Sequence, residues 1–313
     1  MALTRKRFLI AKIESTYGTD PTPVGGTDAI QVTNLEVTPI ESDNIQPPAL
    51  QGFIGNSTRG TILANKRVSV TFDVELSGSG TAGTAPAYGS VLKACGLSET
   101  TVADTSVTYA PVSSTFDSVT IYCFYDGTRH KITGCRGSAS FTLNAGELPT
   151  ISFTMTGLYN APDDTALSGD FTVANQAAAL EVSDANITTN TFHGVTDACL
   201  ESLSFALNNE FTFRPLMCSE SVVMTNRAPG GNAVIEAPDV GTIDYFAKAV
   251  ATATGSSVFT LGATGGNITT LNMPQTDITG VSYGDTNGVV NLSVDYLALP
   301  TTSGNDEFTL VYT

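Results

Sequence analysis

Hydrophobic and polar side chains alternate along most of this chain. Val68, Val70, Phe72, Val74 and Leu76 take every second position, with Ser69, Thr71, Asp73 and Glu75 between them. Successive side chains of a strand point to opposite faces, so this run predicts a strand with one buried and one wet face. The same period predicts strands at 8–13, at 30–40 with an irregularity at Asn34, and at 107–109, 119–125, 138–143 and 149–158. Beyond residue 200 it predicts strands at 203–207, 211–213, 222–224, 233–235, 258–261, 267–271, 289–299 and 307–312. Helical spacing is confined to two short stretches. Tyr88, Val91, Leu92 and Cys95 share one helix face, and Gly96 suits the left-handed residue that ends a helix. A second helix is expected near 242–252.

The connections carry as much information as the strands. Asp126-Gly127 between two alternating runs predicts a tight type I′ hairpin turn, and a further hairpin is expected around Asn144-Ala145-Gly146. Residues 1–30 read as an arm, because TYGTDPTPVGG breaks any regular structure after the run 8–13. Residues 41–66 lack periodicity and contain Pro47-Pro48, Gly52, Gly55 and Gly60, so the hairpin they close has a long connection. Loops of that length in compact domains are mostly functional or disordered, and this one is expected to touch a partner. Residues 160–200 are polar and acidic, which puts a domain boundary at their start and divides the chain into 1–161 and 162–313.

The two parts resemble each other. NLEVTPI (34–40) matches SLSFALN (202–208), RVSVTFDVE (67–75) matches NAVIEAPDV (232–240), and YGSVLKACG matches DYFAKAVAT with Lys93 opposite Lys248. GELPTISFTMTGLY matches TNGVVNLSVDYLAL, with Ile151, Phe153 and Met155 opposite Leu292, Val294 and Tyr296. Order is kept while loop lengths drift, as expected of a duplicated β-rich unit.

Composition narrows the functional classes. Charged residues make up 14% of the 313, well below the usual ~25%, and the net charge is −16. Residues 1–161 hold 11 Lys and Arg against 13 Asp and Glu, whereas 162–313 hold 3 against 17. A chain of this sign does not grip nucleic acid, since phosphates need cationic partners. The five cysteines are odd in number and lack CxxC spacing, and with His130 and His193 the sole histidines a zinc site is not expected. Reduced thiols in a cytoplasmic setting fit them. The apolar run FLIA, cut by Lys12 and Glu14, is too short for a secretion signal, and no run reaches membrane-spanning length.

No catalytic constellation stands out. His130 and His193 read as exposed histidines, and the glycine runs at 78–80 and 265–267 lack the lysine and strand–helix context of a phosphate loop. Asp163-Asp164 could hold calcium weakly, although acidic linkers are common. Neither cofactor nor metal is expected, and neither is enzymatic activity.

AKIESTYGTDPTP, VTNLEVTPIESD and VELSGSGTAGTAPAYGSVLKACG resemble the tail tube proteins of long, non-contractile-tailed bacteriophages. The segment 119–159 and FRPLMCSESVVMTNRAPGG are similar to the same group, so the resemblance covers most of the chain and is loosest at 163–200 and beyond 255. It implies a mostly β fold of two tandem tail-tube-type β-sandwich or barrel domains. Each would carry one short flanking helix, a long stacking loop and an N-terminal arm. It further implies self-association into rings, trimeric with pseudo-six-fold symmetry if each chain carries two domains, stacked into a tube. The tube would enclose a tape measure protein, contact other tail proteins at its ends, and later pass double-stranded DNA without binding it specifically. Assembly in the host cytoplasm, a place in the virion and no membrane follow from the same resemblance. Phe53, Ile54 and Arg59 in the long loop, with Phe8 and Tyr17 in the arm, are the expected ring-stacking residues. Competing expectations are a tail terminator or distal tail protein, and an adhesin or carbohydrate-binding β-sandwich, which would need export.

Overall fold

The alternation builds strands throughout, and what matters is how they are joined. The structure is a computed structural model that describes residues 3, 5–48, 50–56, 59–167 and 170–313. Its first part runs β1 (Arg7–Ile13), β2 (Ala29–Ile30), β3 (Thr33–Ile45), β4 (Ile62–Glu75), α1 (Gly89–Ala94), β5 (Leu97–Val102), β6 (Ser106–Pro111), β7 (Val119–Tyr125), β8 (Thr128–Asn144) and β9 (Thr150–Tyr159). The second runs β10 (Ile187–Phe192), β11 (Val195–Thr196), β12 (Leu200–Ala206), β13 (Asn209–Pro215), β14 (Glu220–Arg227) and β15 (Gly230–Glu236). It continues with α2 (Tyr245–Val250), β16 (Gly255–Leu261), β17 (Thr269–Thr286), β18 (Val289–Ala298) and β19 (Thr309–Tyr312). The fold is mostly β, as expected.

Eight strands form one antiparallel sheet, in the order β3-β4-β9-β8-β12-β15-β18-β17. Its buried face carries Val70, Phe72, Val74, Phe141, Ile151, Phe153, Phe205, Ile235, Leu292 and Val294. A second layer covers that face. It contains β2-β1-β7, which joins the first half of β8, and β11-β10-β16, which joins the first half of β17. That layer is extended by β19, β6 and β5. Both β8 and β17 therefore belong to two sheets and must bend. In β8 the ladder shifts between Thr133 and Arg136, around Gly134 at φ 62°. Only glycine fits there, because a Cβ would lie 2.8 Å from the Tyr17 ring. In β17 the change comes at Pro274, which has no N–H to give to a ladder.

The core crosses the joint between β8 and β12 without interruption. Phe141 and Phe205 lie across it with ring centres 6.0 Å apart, and Phe308 packs on Phe205 at 5.0 Å. A second joint links β6 to β19, where the buried rings of Tyr88, Tyr109 and Tyr312 meet and the Tyr88 and Tyr312 hydroxyls lie 3.1 Å apart. The glycine runs singled out in the sequence meet at a third: Gly80 N–H donates to Gly266 O at 2.9 Å and Gly78 N–H to Asn267 Oδ1 at 2.9 Å.

Three expectations change. The arm is part of the chain's own core from residue 7 on, with Leu9, Ile10 and Ala11 buried in succession because the strand is covered on both faces. Glu14 ties it down: its carboxylate accepts from Gly18 N–H and Gly134 N–H, each at 2.7 Å, and from the Ser118 and Thr120 hydroxyls, each at 2.6 Å. Met1, Ala2 and Thr4 of the arm lie outside the described residues. The aperiodic stretch 41–66 is largely strand: β3 and β4 run on as a two-stranded ribbon, leaving 46–61 as its tip. Register shifts along β3 break the alternation that sequence reading looks for. The acidic segment after 160 is laid over the chain, with Ala87 N–H donating to Asn175 O and Val182 N–H to Glu147 O, both at 2.9 Å, and β10 follows where a linker was expected.

Candidate functional site

Both histidines and three of the five cysteines are in structural use, while Cys199 and Cys218 are exposed. His193 is buried at the turn between β10 and β11, not exposed as the sequence suggested. Its Nε2 donates to Ala253 O at 2.8 Å and Lys248 Nζ donates to its carbonyl at 3.2 Å. Burial lowers its pKa, and the nearby Lys248 charge adds to that. His130 stacks edge-on against Tyr125, 5.8 Å between centres. Burial also pushes the Cys95, Cys123 and Cys135 thiols far above their usual range, which removes them as nucleophiles. Asp163 gives both carboxylate oxygens to Arg129, at 2.9 and 2.6 Å, so it is not offered to calcium. Among the described residues no group of His, Cys, Asp and Glu could hold a metal. A cleft of about 430 Å³ lined by Asp184, Asn190, Asp197 and Cys199 holds no histidine or lysine to pair with a nucleophile.

What remains is the open face of the long sheet and its two edges. The open face of the eight-stranded sheet carries Ser69, Thr71, Ser138, Ser140, Thr142, Ser152, Thr154, Ser202, Ser204, Ser293 and Ser282, opposite the apolar face. Its carboxylates include Glu36, Asp73, Glu75, Glu236 and Asp295, while its Arg67 is paired with Glu41 at 3.1 Å. Such a face presents small hydroxyls and negative charge.

Among the described residues the sheet ends on two strands with an unpaired side, β3 and the second half of β17. Open edges invite pairing with another chain. They also leave apolar residues partly covered. Tyr283 on β17 is 69% exposed, although Phe246 of α2 packs on it at 5.5 Å. The ribbon adds Ile40, Ile45, Ile62 and Leu63, all exposed.

The five residues expected to stack rings are thus divided. Phe53 and Ile54 are exposed on the ribbon tip, 61% and 105%, beside exposed Leu50, and Arg59 lies on the same exposed tip. Ala49, Ser57 and Thr58 of that loop lie outside the described residues. Phe8 and Tyr17 are engaged within the chain. The Phe8 ring stacks on Phe124 at 4.6 Å. Tyr17 lies under the Arg136 guanidinium at 4.8 Å, and its hydroxyl accepts from Val222 N–H at 2.6 Å. Sequence reading did not single out Tyr283 or the four exposed ribbon residues. Tyr283 is an aromatic side chain between small and acidic neighbours in a strand with Pro274, Gly280 and Gly284, a pattern that hides a strand.

The family model for the phage tail tube protein matches residues 4–304. The chain belongs to the phage tail tube protein family. Membership gives this tail tube protein a structural role, in which it assembles with itself and with other tail proteins into the tube of the virion. Nothing among the curated proteins matches the chain. Among the described residues no helix is long and apolar enough to cross a membrane.

Proposed function

We propose that three copies of the chain close into a ring, each supplying two tube units, 1–161 and 162–313, and that the rings stack into the conduit that passes double-stranded DNA into the host. The single observation that carries this reading is the eight-stranded sheet with two open edges. Its first four strands, β3-β4-β9-β8, have the same connections as the last four, β12-β15-β18-β17. The halves also agree outside that sheet: α2 runs directly into β16 and α1 leads to β7 through the added hairpin of β5 and β6, and β1–β7 corresponds to β10–β16.

Size supports it. Three eight-stranded sheets make a wall of about 24 strands, which at ~4.8 Å spacing and ~40° tilt is about 150 Å around. Its diameter is roughly 48 Å, or about 38 Å inside the side chains, wide enough for a duplex about 20 Å across. With the apolar face packed under the second layer, the hydroxyl and carboxylate face lines the lumen. Phosphate meets little positive charge there, so DNA and, before it, a tape measure protein slide rather than stick. The ribbon tip, with Phe53, Ile54 and Arg59, reaches the next ring. Phe8 and Tyr17 enter the same proposal through the arm, whose fixed course they maintain.

Negative-stain electron microscopy of the purified chain at rising concentration tests the reading. Hollow tubes whose end views show three-fold or pseudo-six-fold symmetry are expected. Six-fold rings with one chain per sixth would overturn the trimer and keep the tube, while a chain that stays monomeric with added tail-tip proteins would overturn both. Deleting 46–61 is expected to leave folded rings that no longer stack, and tubes of normal length would remove the tip from the stacking contact.

A further inference from the structure

The chain contains one complete copy of a joint that its own open edges lack. Inside the molecule, β8 is the last strand of one four-stranded set and β12 the first of the next, and they pair antiparallel. β17 and β3 hold the corresponding places, last and first, and among the described residues each lacks a partner on its outer side. Resting on the ring reading above, we infer that β17 of one copy pairs with β3 of the next in the register of the internal β8–β12 ladder. This places Thr38 opposite Ser282 and Val37 opposite Tyr283.

The register comes from the ladders themselves. Val37 pairs with Val70, which pairs with Met155, and Phe205 pairs with Gly231, which pairs with Tyr296. Val37 therefore holds the position of Phe205. On the other side, Ile151 pairs with Phe141 and Leu292 pairs with Tyr283, so Tyr283 holds the position of Phe141. The internal joint has Phe205 opposite Phe141 and Ala206 opposite Ser140. Carried over, these become Val37 opposite Tyr283 and Thr38 opposite Ser282. A slip by one residue would set Tyr283, which its ladder with Leu292 keeps on the apolar face, opposite Glu36 or Thr38 of the polar face, so the pleat fixes the parity independently.

Exposure marks the same positions as unfinished. Phe141 is 1% exposed and Phe205 fully buried, whereas Tyr283 is 69% exposed and Val37 only partly covered. The outer elements agree. The hairpin of β13 and β14, which leaves the sheet just after β12, crosses the internal joint and lies on the preceding half. There Arg136 Nη1 donates to Val222 O at 2.8 Å and Asn209 Nδ2 to Cys95 O at 2.7 Å. The ribbon formed by the outer ends of β3 and β4 leaves the sheet in the same way, but its chain has no preceding half to lie on. A second copy supplies it: the partner's second half covers the ribbon's base at Ile40, Ile45, Ile62 and Leu63.

Disulfide trapping tests this. In a background with the exposed Cys199 and Cys218 changed to serine, Thr38→Cys and Ser282→Cys are combined, and tubes confirmed by microscopy are oxidised. The readout is the ladder on a non-reducing gel. The expected result is crosslinking at least tenfold above the pairs shifted by two residues, Thr38→Cys with Gly280→Cys or with Gly284→Cys, and a ladder that stops at three chains. Tubes in which a shifted pair crosslinks best, or in which none does, overturn the register and leave the tube standing. A ladder running past three overturns the closed three-copy ring. If the serine background itself never leaves the monomer, the ring reading fails and the register fails with it. If that background forms tubes and the single-cysteine variants do not, Thr38 and Ser282 do not tolerate the small change a facing pair must accept, and the register is overturned.

Discussion

The hairpin of β13 and β14 and the ribbon of β3 and β4 leave the long sheet at the same point of the strand order, yet they end in opposite surroundings. Val222 and Met224 of the hairpin are buried, at 0% and 9%, against the half that precedes them in the chain. Ile45 and Ile62 of the ribbon are 52% and 55% exposed. Both segments mix apolar with charged and polar side chains, so composition does not separate them. What separates them is whether covalent continuity supplies the surface they cover. On the ring reading proposed above, the exposed ribbon residues are half of a contact whose other half is a second copy.

The largest expected effect breaks the pair apart by charge. Val222→Asp buries an unpaired carboxylate and should cost the isolated chain about 4 kcal/mol, measured as a lowered urea midpoint. Ile62→Asp should leave the isolated chain within ~0.5 kcal/mol of wild type, as surface changes do, while preventing tube formation in light scattering. Equal costs in the isolated chain would show that the ribbon is already covered. Normal assembly of Ile62→Asp would show that the ribbon base touches no neighbour.

A second comparison is inside the two four-stranded sets, where equivalent rows trade volume. Val70 beside Met155 becomes Gly231 beside Tyr296, and Phe72 beside Phe153 becomes Ala233 beside Val294. At Gly231 the backbones of β12 and β15 come so close that a Cβ would lie 1.8 Å from Ser204 O, and the Tyr296 hydroxyl donates to that same oxygen at 2.9 Å. Gly231→Val restores the residue of the other set at a place that has no room for it, and about 3 kcal/mol of destabilisation is expected in the same denaturation assay. A neutral result would mean that β12 and β15 pair as loosely as the ribbon does.

These trades explain what the sequence made legible and what it did not. The strands that bury one face against the core were plain from period two, and Asp126-Gly127 forms the expected turn with φ 30° and 96°. Asn287-Gly288 carries the same signal, φ 55° and 85°, between β17 and β18, but its first flank lacks the apolar alternation that would have drawn notice. β10, ITTNTF, and β5, LSETTV, are mostly polar because one side of each is wet, so neither stood out as a strand. The match of 67–75 to 232–240 set Val74 level with Asp239. The ladders set it level with Ile235, four residues away, because equivalent rows exchange large for small residues and leave little identity to align. Among the candidate contact residues, the ribbon tip could be found from its length and turn residues. Tyr283 could not, since an edge is a property of pairing and pairing is set by strands far away in the chain.

The smallest effect concerns the segment that connects the two sets, and acid should reveal it. Arg129 holds Asp163 through both carboxylate oxygens, through paired backbone bonds of 2.8 and 3.1 Å, and while stacked on Tyr122 at 4.6 Å. The guanidinium lowers the Asp163 pKa from 3.8 to about 2. A carboxyl that is more acidic folded than unfolded contributes stability above its unfolded pKa and loses it as pH falls toward the folded one. The contribution is therefore complete above about pH 5, falls most between the two pKa values, and is gone near pH 1. With the Asp163 side chain 34% exposed, solvent screening holds it to about 0.5–1 kcal/mol. Arg129→Gln should lower the urea midpoint by that small amount at pH 7, with most of the gap to wild type closing between pH 4 and pH 2. A gap that stays constant with pH would assign the loss to packing on Tyr122 and to the backbone bridge, and would leave the connecting segment fastened by contacts that charge does not control.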